Sequence, residues 1–130
     1  MILFDTDTCI EILRGNATVI RKREVFAGDI AISFMTVAEL FFGAENSSYP
    51  PHNKIIVEKF ILTVGIIHSD MPILKRFGSL KADLKKKKIL VPDADLFIAA
   101  TVLEKAKMLV TGNVRHFEKI SGLKIENWIR

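Results

Sequence analysis

The 130-residue sequence has one cysteine, one tryptophan, one tyrosine and three histidines. Cys9 cannot close a disulfide within the chain, and without Cys or His neighbours it makes no metal site, so it reads as a small buried hydrophobe. Long apolar runs are also missing. Stretches such as Ile2-Leu3-Phe4 and Ile30-Ala31-Ile32 fall far short of the roughly 18 residues that suggest a membrane span. Met1 leads through a short apolar segment straight to Asp5, with no basic flank and no cleavage site. No secretory leader is therefore expected, and the protein is expected to stay in the cytosol. Internal repeats and low-complexity tracts are lacking too.

What is present is the material of one compact domain, residues 1–130. Hydrophobic residues make up 49% and charged residues 26%, and the mean hydropathy is +0.27. That apolar lean leaves more hydrophobic surface than a small domain readily hides, so a second copy or a protein partner is expected to cover part of it. The aromatic-rich segment Phe34, Leu40, Phe41, Phe42 is the stretch that exceeds the need of one helix face. The net charge of +4 is uneven, with six Lys/Arg against eight Asp/Glu in residues 1–65 and thirteen against seven in 66–130. Such a bias suits a polyanionic ligand without specifying a fold.

Apolar runs of strand length, Ile2–Phe4, Ile30–Phe34, Val64–Ile67, Met108–Val110 and Leu123–Ile125, alternate with stretches of helical period. The helices are expected over Thr8–Arg14, Thr18–Phe26, Thr36–Ala44, Asn53–Leu62, Met71–Lys87 and Ala94–Lys105, with a short last one from Asn113. Asn46-Ser47-Ser48-Tyr49-Pro50-Pro51 reads as the one clear loop. The order β-α-α-β-α-α-β-α-α-β-α-β gives an α/β fold, an α/β/α sandwich around a parallel sheet of four to five strands.

Four polar positions fall just past a strand's carboxyl end or in the helix that follows one: Asp5 (with Asp7), Glu39, Asp93-Ala94-Asp95, and Asn113. In open α/β sheets ligands bind along that edge. Each residue has a structural reading as well. Asp5 or Asp7 caps the first helix, Thr36 and Glu39 form a capping box, Asp93 caps the sixth helix and Asn113 starts the last. Convergence favours the functional reading, because several carboxylates at one edge repel each other unless a cation neutralises them. Oxygen ligands without a His or Cys cluster select Mg²⁺ or Mn²⁺. Residues two apart in a helix point about 200° apart, so Asp93 is assigned to capping and Asp95 to the site.

These residues resemble the PIN-domain family, and in combination VapC-type toxin ribonucleases. Ile2-Leu3-Phe4-Asp5-Thr6-Asp7 is similar to the family's opening, and Thr36-Val37-Ala38-Glu39-Leu40 with Gly43-Ala44-Glu45 to its second acidic motif. Asp95-Leu96-Phe97-Ile98-Ala99-Ala100-Thr101 is similar to the third and Leu109-Val110-Thr111-Gly112-Asn113-Val114-Arg115-His116-Phe117 to the fourth. The resemblance implies an endoribonuclease toxin of a type II toxin–antitoxin system, a homodimer neutralised by a VapB-type antitoxin, and a pocket holding Mg²⁺ or Mn²⁺. It implies Asp5 and Asp95 as metal ligands, with Glu39 completing the pocket and Asn113 beside it. Asp7 stands where the family often has Asn, and Asn113 where many members have a fourth acid.

The expected chemistry is phosphodiester hydrolysis by a metal-activated water, leaving 5′-phosphate and 3′-hydroxyl ends. His52, His68 and His116 read as surface or packing residues, with no pair set for attack by the ribose 2′-hydroxyl. Lys85-Lys86-Lys87-Lys88 reads as a solvated helix end or as phosphate contacts, with Arg14, Arg21-Lys22-Arg23 and Arg115 as further candidates. Two rival functions are weighed. Phe4-Asp5-Thr6-Asp7-Thr8 also fits the DxDxT opening of haloacid-dehalogenase-like phosphatases, but the chain lacks room for a cap and Glu39 would have no role. A catalytically silent PIN-fold module that only binds RNA or protein is favoured by Asn113 and opposed by the three acids.

Overall fold

A computed structural model describes all 130 residues, Met1–Arg130. Five strands, β1 (Ile2–Phe4), β2 (Ile30–Ser33), β3 (Gly65–Ile67), β4 (Leu109–Val110) and β5 (Ile125–Glu126), form one sheet in the order β3-β2-β1-β4-β5. Every pair is parallel. Seven helices connect them: α1 (Thr6–Leu13), α2 (Ala17–Val25), α3 (Phe34–Glu45), α4 (Pro50–Ile61), α5 (Met71–Lys86), α6 (Asp93–Lys105) and α7 (Val114–Phe117). The element order is the one read from the sequence. None of the helices is long and apolar enough to cross a membrane.

Alternation along the short strands explains the layering, because successive side chains leave opposite faces. Ile2, Phe4, Ile32 and Val110 face a core with Cys9, Val19, Leu40, Val57, Phe60 and Trp128, contributed mainly by α1–α4. Leu3, Ala31 and Leu109 face a second core with Leu84, Leu96, Ile98, Val102 and Phe117, from α5–α7. β1 is buried on both faces, as the central strand of a parallel sheet must be. Phe97 of α6 stacks on Phe77 of α5 with ring centroids 4.0 Å apart and meets Phe34 of α3 edge-on. Of the aromatic-rich segment, Leu40 is therefore buried and Phe34 packed, and only Phe42 stands out into solvent.

Local signals hold in part. Asn16 caps α2 by accepting from the Thr18 and Val19 amides, and Asp70 caps α5 by accepting from Ile73 N, each satisfying donors that a helix start leaves unpaired. Three expectations are corrected. Helix α3 begins at Phe34, two residues before Thr36, with Ser33 Oγ accepting from Thr36 N at 3.2 Å. The Thr36–Glu39 capping box is therefore absent. Pro92, not Asp93, occupies the cap position of α6, and Asp93 instead pairs with Lys81 at 3.0 Å. The expected loop Asn46–Pro51 is cut short because Pro50 and Pro51 open α4, where the missing amide hydrogen costs nothing.

Candidate active site

The chain builds outward from β1 to β2 and β3, then returns to place β4 on β1's other side. The gap between the carboxyl ends of β1 and β4 is thus the topological switch point, where helices leave in opposite directions and open a crevice. Asp5 follows β1 directly, and its amide donates to Val110 O of β4 at 2.9 Å. The residue is only 5% exposed. Oδ1 accepts from Thr6 N at 2.8 Å, which makes Asp5 the cap of α1, and Oδ2 accepts from Thr111 Oγ1 at 2.7 Å.

Thr6 and Thr111 carry this carboxylate's neighbours. The Thr6 hydroxyl donates to Glu39 Oε1 at 2.7 Å. Because its single proton goes there, the 3.0 Å contact with Thr36 Oγ1 has Thr36 as donor. On the other side Thr111 Oγ1 accepts from Asn113 N at 2.9 Å. Asp95, in the first turn of α6, has its Oδ2 2.7 Å from His116 Nδ1, and Asn113 Nδ2 lies 2.9 Å from the same nitrogen. Asp5, Glu39, Asp95 and Asn113 thus belong to one hydrogen-bonded chain, joined by Thr6, Thr111 and His116. As they stand, no three His, Cys, Asp or Glu side chains close on one point. Asp95 turns to the imidazole.

Asp7 completes the acidic wall. Its Oδ2 accepts from Gly112 N at 3.0 Å, and a Cβ at Gly112 would stand 3.0 Å from that oxygen and 2.8 Å from Ile129 Cδ1. A side chain at Gly112 would push Ile129 and the Asp7 carboxylate aside by a few tenths of an ångström.

Burial pushes the Asp5 carboxyl up to about 7. The Thr111 hydroxyl and the Thr6 amide favour its ionised form, while the charges of Asp7 and Asp95 act with burial against it. Asp7 is also raised by burial, with the Gly112 amide and the Thr8 contacts opposing. Oxygen-rich and short of counter-charge, with Asp5 pushed up to about 7, this donor set fits a divalent cation, which would restore the ionised form of Asp5. Burial and the same two aspartates push the Cys9 thiol far up, so it stays inert.

Sequence reasoning missed the joints. Thr6 and Thr111 lie beside expected site residues, but nothing local distinguishes a bridging hydroxyl from a surface one. His116, expected to be a surface or packing residue, instead contacts Asp95 from a half-exposed position. Its spacing of three from Asn113, which places both on one side of a helical turn, was the available signal.

An open α/β sheet with acids along its switch-point edge defines a class of ligand-binding domains. Comparison with known proteins narrows the class. Residues 2–123 match the PIN domain. Ribonuclease VapC2 of Haemophilus influenzae is 34% identical over 128 residues, 98% of this chain and 97% of that protein. The tRNA(fMet)-specific endonuclease VapC of Salmonella typhimurium is 34% identical over 127 residues, 97% and 96% of the two chains. Among solved structures, DNA-bound VapBC from Salmonella typhimurium superposes with a TM-score of 0.91 at 34% identity, covering 98% of this chain and 97% of that one. VapBC2 from Rickettsia felis, bound to a DNA fragment from its promoter, also gives 0.91, at 28% identity over 98% and 99%. The chain belongs to the PIN-domain family.

Proposed function

We propose that the protein is an RNA-cleaving hydrolase, the endoribonuclease toxin of a toxin–antitoxin pair, in which Asp5 and Asp95 hold a divalent cation, Mg²⁺ or Mn²⁺. The observation that carries this reading is the buried Asp5 carboxyl, held at about 7 beside Asp7 and Asp95, in a fold shared end to end with VapC ribonucleases. When bound, such a cation supplies a Lewis acid that lowers the pKa of water and stabilises negative charge on phosphate oxygens.

The protein's own groups do the rest. Thr6 N and Thr111 Oγ1 fix both oxygens of Asp5, so the carboxylate needs no reorganisation to receive a cation. Glu39 has Oε1 engaged by Thr6 and offers its other oxygen to water. Asn113, its amide pinned to Thr111, sets the position of the imidazole it contacts. Exposed Arg115, next to His116 on α7, is assigned to attract the phosphate backbone.

An apolar groove between α1, α3 and α4, lined by Ile10, Leu13, Leu40, Ala44, Ile56 and Val57, runs to Glu39. We assign it to a segment of a VapB-type antitoxin, in keeping with the VapBC complexes that this chain resembles. Exposed Phe42 is assigned to the cover of the homodimer. The DxDxT phosphatase reading is set aside because residues 2–123 match the PIN domain and it gives no role to Glu39.

End-group analysis of cleaved RNA tests the chemistry. Hydrolysis by water leaves 5′-phosphate and 3′-hydroxyl ends; 2′,3′-cyclic phosphate would mean that the ribose hydroxyl is the nucleophile and that the acidic site is not the engine.

A further inference from the structure

Helices α5 and α6 pack antiparallel. Asp70 and Arg76 near the start of α5 pair with Lys105 and Glu104 at the end of α6, while Lys81 near the end of α5 pairs with Asp93 at the start of α6. The last turn of α5 therefore lies beside the first turn of α6, which carries Asp95. There the two helices and their connector form an open groove over Leu84, Ile89 and Leu96, rimmed by Lys85 and Lys88, with Leu90 94% exposed beside them.

The charge on that rim is free. Lys81 is engaged by Asp93 and Lys87 by Asp83, whereas Lys85 and Lys88 pair with no acid. Lys88 also sits on a costly backbone. Helix α5 closes with Ile89 N donating to Leu84 O at 2.9 Å and Lys88 N to Lys85 O at 3.1 Å, the Schellman arrangement that puts the residue after the cap in the left-handed region. Lys88 has φ 59°, and the other positive-φ positions, Gly15 and Gly122, are both glycine. A side chain strains such a backbone, and no hydrogen bond or ion pair within the fold uses this one.

Resting on the ribonuclease reading above and deepening it, we propose that this groove binds single-stranded RNA flanking the scissile bond, with phosphates on Lys85 and Lys88 and a splayed base against Leu90. Asp5, Asp7, Glu39 and Asp95 repel a phosphate backbone, so the strand needs cations beside the acids. The groove meets that need through α6: Leu96 lines it, and Asp95, one residue earlier, belongs to the candidate site. Lysines next to an exposed apolar side chain match the alternating phosphates and unstacked bases of a single strand. An acidic peptide would use the cations but gains nothing from continuity with the acidic edge.

The test is fluorescence anisotropy of a labelled, mixed-sequence single-stranded RNA with the full-length protein in EDTA, over a series of salt concentrations. Lys85→Gln with Lys88→Gln should weaken binding on the order of tenfold and reduce the slope of log K against log salt by about 1.4, from two contacts at about 0.7 each. Lys59→Gln with Lys107→Gln removes the same charge from exposed residues that precede β3 and β4, toward the sheet's other edge; it should reduce the slope by less than about half as much. Leu90→Ser should weaken binding about threefold or more with the slope unchanged. Lys88→Gly should weaken RNA binding yet raise the midpoint of thermal unfolding, because glycine relieves the left-handed strain. A slope that the groove pair leaves unchanged, or that the control pair lowers equally, overturns the proposal. So does wild-type binding by Leu90→Ser, a lowered unfolding midpoint in Lys88→Gly, or a dependence on Lys85 and Lys88 seen with an acidic peptide and not with RNA. Each of these leaves the ribonuclease reading standing; that reading fails separately if the wild-type protein cleaves no RNA with Mn²⁺ or Mg²⁺.

Discussion

Replacing Asp5 by Asn in metal-free protein separates a buried charge from a helix cap. The folded carboxyl titrates at about 7 against an ordinary 3.8. The gap, at 1.36 kcal/mol per unit, amounts to a ceiling of about 4 kcal/mol. Its sign follows from the raised value. Between pH 4 and pH 7 the folded state holds a proton that the unfolded chain has released, so stability falls as pH rises through this window and is level above it. At 5% exposure little of the effect is screened by solvent. Asn fits the same cradle, with its oxygen accepting from Thr6 N and its NH₂ donating to Thr111 Oγ1, whose own proton turns to Asp7. In EDTA, urea denaturation should find Asp5→Asn more stable than wild type by roughly 2–4 kcal/mol at pH 8, and within about 0.5 kcal/mol at pH 4. Added Mn²⁺ should stabilise the wild type alone. A cap without charge crowding gives near-identical stabilities at both pH values, since Asn caps as well as Asp; that result would refute the reasoning.

Two further substitutions probe the joints. Thr111→Val removes the donor to Asp5 and the acceptor for Asn113 N, so it should cost on the order of 1–3 kcal/mol by chemical denaturation and push the Asp5 carboxyl higher still by NMR titration. Ser33→Ala, at the cap of α3, should cost about 1 kcal/mol, whereas Glu39→Gln should leave stability within about 0.5 kcal/mol because Glu39 caps nothing; the reverse pattern would restore the capping box.

Periodicity carried the fold, because each strand alternates between two cores and each helix buries one stripe. Strand ends and first helical turns were harder to read where both are apolar. Phe34-Met35 looks like the continuation of Ile30-Ala31-Ile32, so local pattern puts the start of α3 at Thr36, whereas Ser33 is the cap. Asp93 departs from the cap role for a different reason. Its partner Lys81 lies twelve residues away on another helix, and no local pattern reports such a contact. Asp5, Glu39 and Asp95 were legible as site candidates because strand carboxyl ends mark the ligand edge of an open sheet. The hydroxyls and the imidazole that join them were not, since the bond from Asp95 to His116 spans 21 positions and exists only once α6 and α7 are packed.

The most direct measurement of the acidic site's role is single-turnover cleavage of RNA by wild type and Asp95→Asn, each with Mn²⁺, with Mg²⁺ and with EDTA. The expected result is cleavage by the wild type with metal only, and a loss on the order of 10³-fold or more in Asp95→Asn, the equivalent of several kcal/mol of transition-state stabilisation, with the fold retained by circular dichroism. Cleavage that persists in EDTA, or at wild-type rates in Asp95→Asn, would contradict the assignment.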